Sequence, residues 1–246
     1  MAETIAQRTV LYSLPEASGV EVRTEPYDGD LVIDVYALPR AQQNTPAVVL
    51  VSGYPDTGFE KIVGCKFKDM GSSQSWARLL AASGLVAITY TNRTPENDLH
   101  AVLQHVRTNI ADRIGVWASS GNVPLALSLL MGDSLVQCAA LCYGYTFDVD
   151  EQAKQFRFAY PISGKSIDDL SSAVPLFLAR AGGDETPGLN AALDRFIAAA
   201  IARNLPVTIA NHPTGPHAFD LLDDSDMTRQ IVGQILSWTV AACRRL

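Results

Sequence analysis

Apolar and polar positions fall into blocks along the chain, and the period changes from block to block. Residues 20–27 and 31–38 alternate well enough to be an antiparallel strand pair, with Asp28-Gly29-Asp30 between them as the turn. Residues 46–52, 85–90, 114–118, 136–142, 174–181 and 206–210 are short continuous apolar runs, the pattern of strands covered on both faces. Helical spacing lies between them. It runs through Trp76, Leu79, Leu80 and Ala82 over 73–83, with Gly84 as the stop, and through Leu99, Val102, Val106 and Ile110 over 96–110. Residues 123–131, with Pro124 in the first turn, 189–203 and 227–243 complete the helices. Residues 57–71 read as a long charged loop, and 143–172, without a strong period, as a small lid.

Strand and helix therefore alternate almost throughout, which predicts an α/β fold: a doubly wound, mostly parallel sheet with helices on both faces. No repeat, linker or low-complexity tract divides the chain, and its 246 residues suit a single domain over 1–246. A domain of that size buries ~70–75% of its unfolded surface. In such sheets the reactive groups gather at the carboxyl ends of the strands.

One of those ends carries a corner of small residues. The run Ile114-Gly115-Val116-Trp117-Ala118-Ser119-Ser120-Gly121-Asn122-Val123-Pro124 reads as strand, tight turn, helix. A serine at such a corner exposes its hydroxyl where the first helix amides point at developing negative charge, the arrangement of a nucleophile elbow. The G-x-S-x-G pattern fits in two registers. Ser119 would put Trp117 two residues before the nucleophile, where strand and helix crowd, whereas Ser120 puts Ala118 there and Asn122 on the far side. The steric argument favours Ser120, with Trp117 as the last bulky strand residue.

A serine hydroxyl needs an imidazole to take its proton, and the imidazole needs a carboxylate to fix its tautomer. His217 follows the last predicted strand in Asn211-His212-Pro213-Thr214-Gly215-Pro216-His217, and Asp184 follows the strand before it in Gly182-Gly183-Asp184-Glu185. The order Ser, Asp, His suits this topology. His212 competes with His217 as base but lies nearer the strand end. Glu185 and Asp148 compete with Asp184. His100 and His105 fall on a predicted helix and read as surface or second-layer residues.

Composition narrows the classes. A formal charge of −7 argues against nucleic acid, and no apolar run reaches the roughly 20 residues of a membrane span. The polar start of the chain lacks the apolar core of a signal peptide, so a cytoplasmic setting is expected. Cys65, Cys138, Cys142 and Cys243 have no metal-type pairing, and the four histidines are scattered, so neither metal nor cofactor is expected. Oligomeric state leaves no trace in the pattern.

From about residue 20 onward the chain resembles the α/β-hydrolases, nearest to the dienelactone-hydrolase-like esterases. The residues that carry the likeness are Ser52-Gly53-Tyr54-Pro55, the segment from Arg113 to Gly121, Ala181-Gly182-Gly183-Asp184 and Pro216-His217-Ala218-Phe219. Ser-Gly stands where that family usually has His-Gly, and Asn122 where it usually has Gly. Dienelactone hydrolases proper use a cysteine nucleophile, whereas this chain has serine. The resemblance implies the α/β-hydrolase fold and an oxyanion hole from the backbone amides of Tyr54 and Gly121. The expected activity is hydrolysis of a small carboxylic ester or lactone, with Ser120, His217 and Asp184 as the catalytic residues and water as second substrate. Two rivals are a carbon–carbon hydrolase or lyase on the same residues, and a non-catalytic binding module on the same scaffold.

Overall fold

The two strand patterns predict different burial, and the computed structural model, which describes residues 4–42, 44–131, 135–147 and 161–245, departs from this at both ends of the sheet: residues 31–37, of the alternating pair, are largely buried, and residues 207–212, expected to be covered on both faces, are largely exposed at an edge. Strand β1 (Glu21–Asp28) is largely exposed at the sheet edge, while β2 (Leu31–Ala37) beside it is largely buried. The continuous apolar runs become β3 (Ala47–Leu50), β4 (Val86–Tyr90), β5 (Ile114–Ser119), β6 (Cys138–Cys142), β7 (Leu176–Ala181) and β8 (Val207–His212). All eight form one sheet in the order β1-β2-β4-β3-β5-β6-β7-β8. The β1–β2 and β2–β4 pairs are antiparallel, and every pair from β4–β3 to β7–β8 is parallel.

The two-residue period of the strands sends alternate side chains into two apolar layers. Val49, Ile88, Val116 and Leu178 face one layer, closed by α3 (Pro95–Asn109), α4 (Val123–Ser128) and α5 (Leu189–Ala202). Leu50, Ala87, Trp117 and Phe177 face the other, closed by α2 (Gly71–Ala82) and α7 (Asp226–Arg244). The sheet is thus covered on both sides, as parallel sheets are. Among the described residues no helix is long and apolar enough to cross a membrane.

Several expected boundaries move. The stretch read as a loop over 57–71 contains α1 (Asp56–Val63) and a 3-10 turn, Phe67–Asp69. Asp56 is the one buried residue of α1; Phe59 and Val63 are only partly buried against the second layer and Ile62 is 83% exposed, so its apolar stripe is short and set among charged residues. Strand β5 continues through Ala118 to Ser119, which pairs with Cys142, so the turn starts one residue later than the apolar run implied. Strand β8 continues to His212, paired with Ala181. The helix expected over 123–131 ends at Ser128. Of the expected lid, residues 148–160 lie outside the described residues.

Candidate active site

At the carboxyl end of β5 the backbone changes hand within one residue. Ser119 is extended at φ −133°, the last strand residue, and Ser120 lies at φ 53°. A left-handed conformation costs a residue with a side chain on the order of 1 kcal/mol, so it persists only where the surroundings enforce it. Here the 3-10 turn Ser120–Asn122 and α4, with Pro124 in its first turn, follow at once. The consequence is directional. Ser119 keeps the strand's alternation and shares the face of Trp117, where its hydroxyl acts on the Tyr143 phenol. Ser120 breaks that alternation and faces the loop after β8.

There its Oγ lies 2.8 Å from Nε2 of His217. The other ring nitrogen, Nδ1, lies 2.6 Å from Oδ2 of Asp184, in the turn after β7, and Oδ1 of Asp184 accepts the Thr186 amide at 2.9 Å. The Asp184 side chain is fully buried while that of His217 is 34% exposed. Burial by itself would raise the Asp184 carboxyl, but the hydrogen bonds from His217 and Thr186 outweigh it and hold its pKa below the ordinary value. With Asp184 ionised, the imidazole proton sits on Nδ1 and Nε2 is left to accept from Ser120.

Ser120 and His217 open into a cavity of about 490 Å³ whose walls are mostly apolar, including Phe59, Ile62, Phe67, Trp76 and Leu221. Tyr54 and Gly121 line it too. They touch: a Cβ on Gly121 would come within 2.2 Å of the Tyr54 hydroxyl oxygen, so only glycine leaves room for the phenol. Burial pushes that phenol up to about 12, so it stays protonated near neutral pH.

Behind His217 lies a second buried carboxylate that the sequence pattern did not single out. Asp220 is 1% exposed and accepts the Trp76 indole N–H at 2.7 Å and the Tyr143 hydroxyl at 2.7 Å. Burial raises its pKa against the pull of those two donors. The Tyr143 ring stands edge-on to His217 with centroids 5.2 Å apart. A charged residue in the otherwise apolar run Ala218-Phe219-Asp220-Leu221 was the available signal. Three of the four non-glycine residues with positive φ among the described residues, Ser120, Tyr143 and Ala218, line this cavity, and strain of this kind concentrates at functional sites.

The competitors fall elsewhere. His212 is 3% exposed, with Nε2 2.8 Å from Asp223, and does not line the cavity. Glu185 is exposed, His100 is exposed on α3, and His105 Nε2 lies 3.1 Å from Glu25. Asp148 lies outside the described residues.

No protein-family model and no curated protein sequence matches the chain. Solved structures do. A thermostable esterase from Pseudomonas putida superposes with a TM-score of 0.66 at 17% identity, covering 94% of this chain and 85% of that one. A bacterial heroin esterase gives 0.67 at 13% identity over 93% and 86% of the two chains. Esterase LipW from Mycobacterium marinum gives 0.65 at 13% identity over 92% and 83%. With its mostly parallel eight-stranded sheet covered on both faces, the chain has the α/β-hydrolase fold.

Proposed function

We propose that the protein is a serine hydrolase that cleaves an uncharged carboxylic ester or lactone through an acyl-enzyme. The observation that carries this reading is the unbroken chain from Ser120 through His217 to Asp184, at a left-handed turn opening on an apolar cavity. His217 Nε2 takes the Ser120 proton as Oγ attacks the carbonyl carbon, and Asp184 holds the ring and balances its positive charge. The amides of Tyr54 and Gly121 receive the tetrahedral oxyanion, and a donor of that kind contributes on the order of 10²–10³ in kcat. The imidazolium then protonates the leaving alcohol. Water, activated by the same histidine, releases the acid.

The apolar walls favour an uncharged substrate, because a charged group would lose its hydration there without a partner. Within this fold the chain is read as nearest to the dienelactone-hydrolase-like esterases, although its serine departs from the cysteine of dienelactone hydrolases proper. The esterase names of solved structures with the same fold agree with an ester substrate. Incubation with p-nitrophenyl esters of increasing chain length tests the reading. Acetyl and butyryl esters should give a burst of nitrophenol and an acyl adduct on the intact protein by mass spectrometry. Absence of hydrolysis across the series, or turnover with no acyl intermediate under rapid quench, would overturn it.

A further inference from the structure

The pattern G-x-S-x-G asks for a small residue two positions after the nucleophile, and this chain has Asn122 there. Asn122 is 6% exposed and has an ordinary helical backbone, φ −87° and ψ −16°, so no backbone requirement explains an asparagine. Its side chain does something specific. Oδ1 accepts the backbone N–H of Gly53 at 2.8 Å, a contact between residues 69 apart in sequence.

Gly53 belongs to the loop 52–55 that leaves β3 and carries Tyr54. The ends of this loop are tied towards β4: the Ser52 amide donates to the Tyr90 hydroxyl at 3.0 Å, Asn92 Nδ2 donates to Ser52 Oγ at 3.1 Å, and the Asp56 amide donates to the Asn92 carbonyl at 3.1 Å. Towards β5 the loop faces the turn after Ser120. The approach is close enough that a Cβ on Gly53 would lie 3.1 Å from the Gly121 carbonyl and 3.3 Å from the Asn122 Cα. The Gly53 amide, bound to Asn122, is spent on that contact and unavailable to a substrate. The loop amide assigned to the oxyanion in the serine-hydrolase reading is the next one, that of Tyr54.

We propose that Asn122 is a positioning residue for the oxyanion hole: its side-chain carbonyl clamps the 52–55 loop to the nucleophile turn and so sets the Tyr54 amide at bonding distance from the oxyanion that Gly121 also receives. The inference rests on the serine-hydrolase reading. Placement within about 0.5 Å matters for such donors, because a hydrogen bond formed only in the transition state raises kcat and leaves substrate binding alone.

The test replaces Asn122 with the residue the pattern usually carries. N122G fits the helical backbone, and N122L keeps the volume without an acceptor. Both are measured for kcat, KM and melting temperature, and for inhibition by an aryl trifluoromethyl ketone, whose carbonyl carbon is attacked by the serine Oγ to give a stable hemiketal oxyanion. Both variants should lose roughly 10- to 100-fold in kcat, with KM within about threefold and the inhibition constant rising by the same factor as kcat falls. Labelling of the parent by a fluorophosphonate separates the two levels. If the parent hydrolyses esters and is labelled while N122G keeps kcat and ketone affinity within twofold, the clamp is wrong and the hydrolase reading stands. A fall in melting temperature with an unchanged kcat also overturns the clamp, leaving a purely structural bond. A parent that is neither labelled nor active removes the reading and the clamp with it.

Discussion

Two histidine–carboxylate pairs sit five residues apart on the same segment, and they differ in what the second ring nitrogen meets. His212 ends β8, is buried at 3% exposure, and points Nε2 at Asp223, while its Nδ1 has no hydrogen-bond partner among the described residues. His217 lies on the following loop, half open, with Nδ1 on Asp184 and Nε2 on Ser120. Both pairs anchor an imidazole on a carboxylate at hydrogen-bond distance, and both carboxyls are held below their ordinary pKa. An anchored imidazole is therefore common to a buried packing pair and to the proposed proton shuttle. What sets His217 apart is that its second nitrogen faces a hydroxyl at the mouth of a cavity, which is what the proposed proton transfer requires.

The comparison is broken most sharply at the hydroxyl. S120A should lower kcat by on the order of 10⁴–10⁶, whereas S119A, whose residue faces Tyr143 from the strand, should cost about tenfold or less. Steady-state kinetics on the two variants decides between them, and an S120A enzyme as active as the parent would remove Ser120 from the mechanism. Next come the histidines. H217A should fall by about 10⁴ in kcat with little change in melting temperature. H212A should do the reverse, keeping kcat within a few-fold while losing about 2 kcal/mol or some 4–8 °C, because it leaves a void and strips Asp223 of a donor. Thermal melts and kinetics on the same preparations read both.

The carboxylates sharpen the contrast further. D184N presents the wrong partner to Nδ1 and should cost about 10⁴ in kcat, while D223N should leave turnover unchanged. The smallest effect is in acid. Asp223 is depressed by hydrogen bonds from Ser225 and Thr228 and, after them, His212, so its contribution to stability is full above the ordinary carboxylate pKa of 3.8 and is lost as pH falls through the lower folded value. The melting-temperature gap between parent and D223N should be constant near pH 6 and close below pH 3.8. A gap that widens in acid would reverse the sign of that argument.

The order of strands and helices was legible because a buried parallel strand and an amphipathic helix write different periods, as 46–52 and 96–110 do. The strand order was not, since nothing local in 85–90 places β4 between β2 and β3. At the site, Ser120, Asp184 and His217 could be named because each follows an apolar run at a carboxyl end. Tertiary contacts supplied the rest. Helix α1 turns its aromatic side, through Phe59, onto the cavity, and Asn122 reaches Gly53 across 69 residues. The Trp76–Asp220–Tyr143 cluster draws on three separate elements, α2, α6 (Phe219–Leu222) and the end of β6, so no window of sequence contains it.

The identity of the attacking atom tests the account most directly. The parent protein is treated with a fluorophosphonate, digested, and the modified peptide sequenced by tandem mass spectrometry. The account predicts a single stoichiometric adduct on Ser120, abolished in H217A at neutral pH. An adduct on Ser119, or no adduct on a protein that still hydrolyses esters, would contradict it.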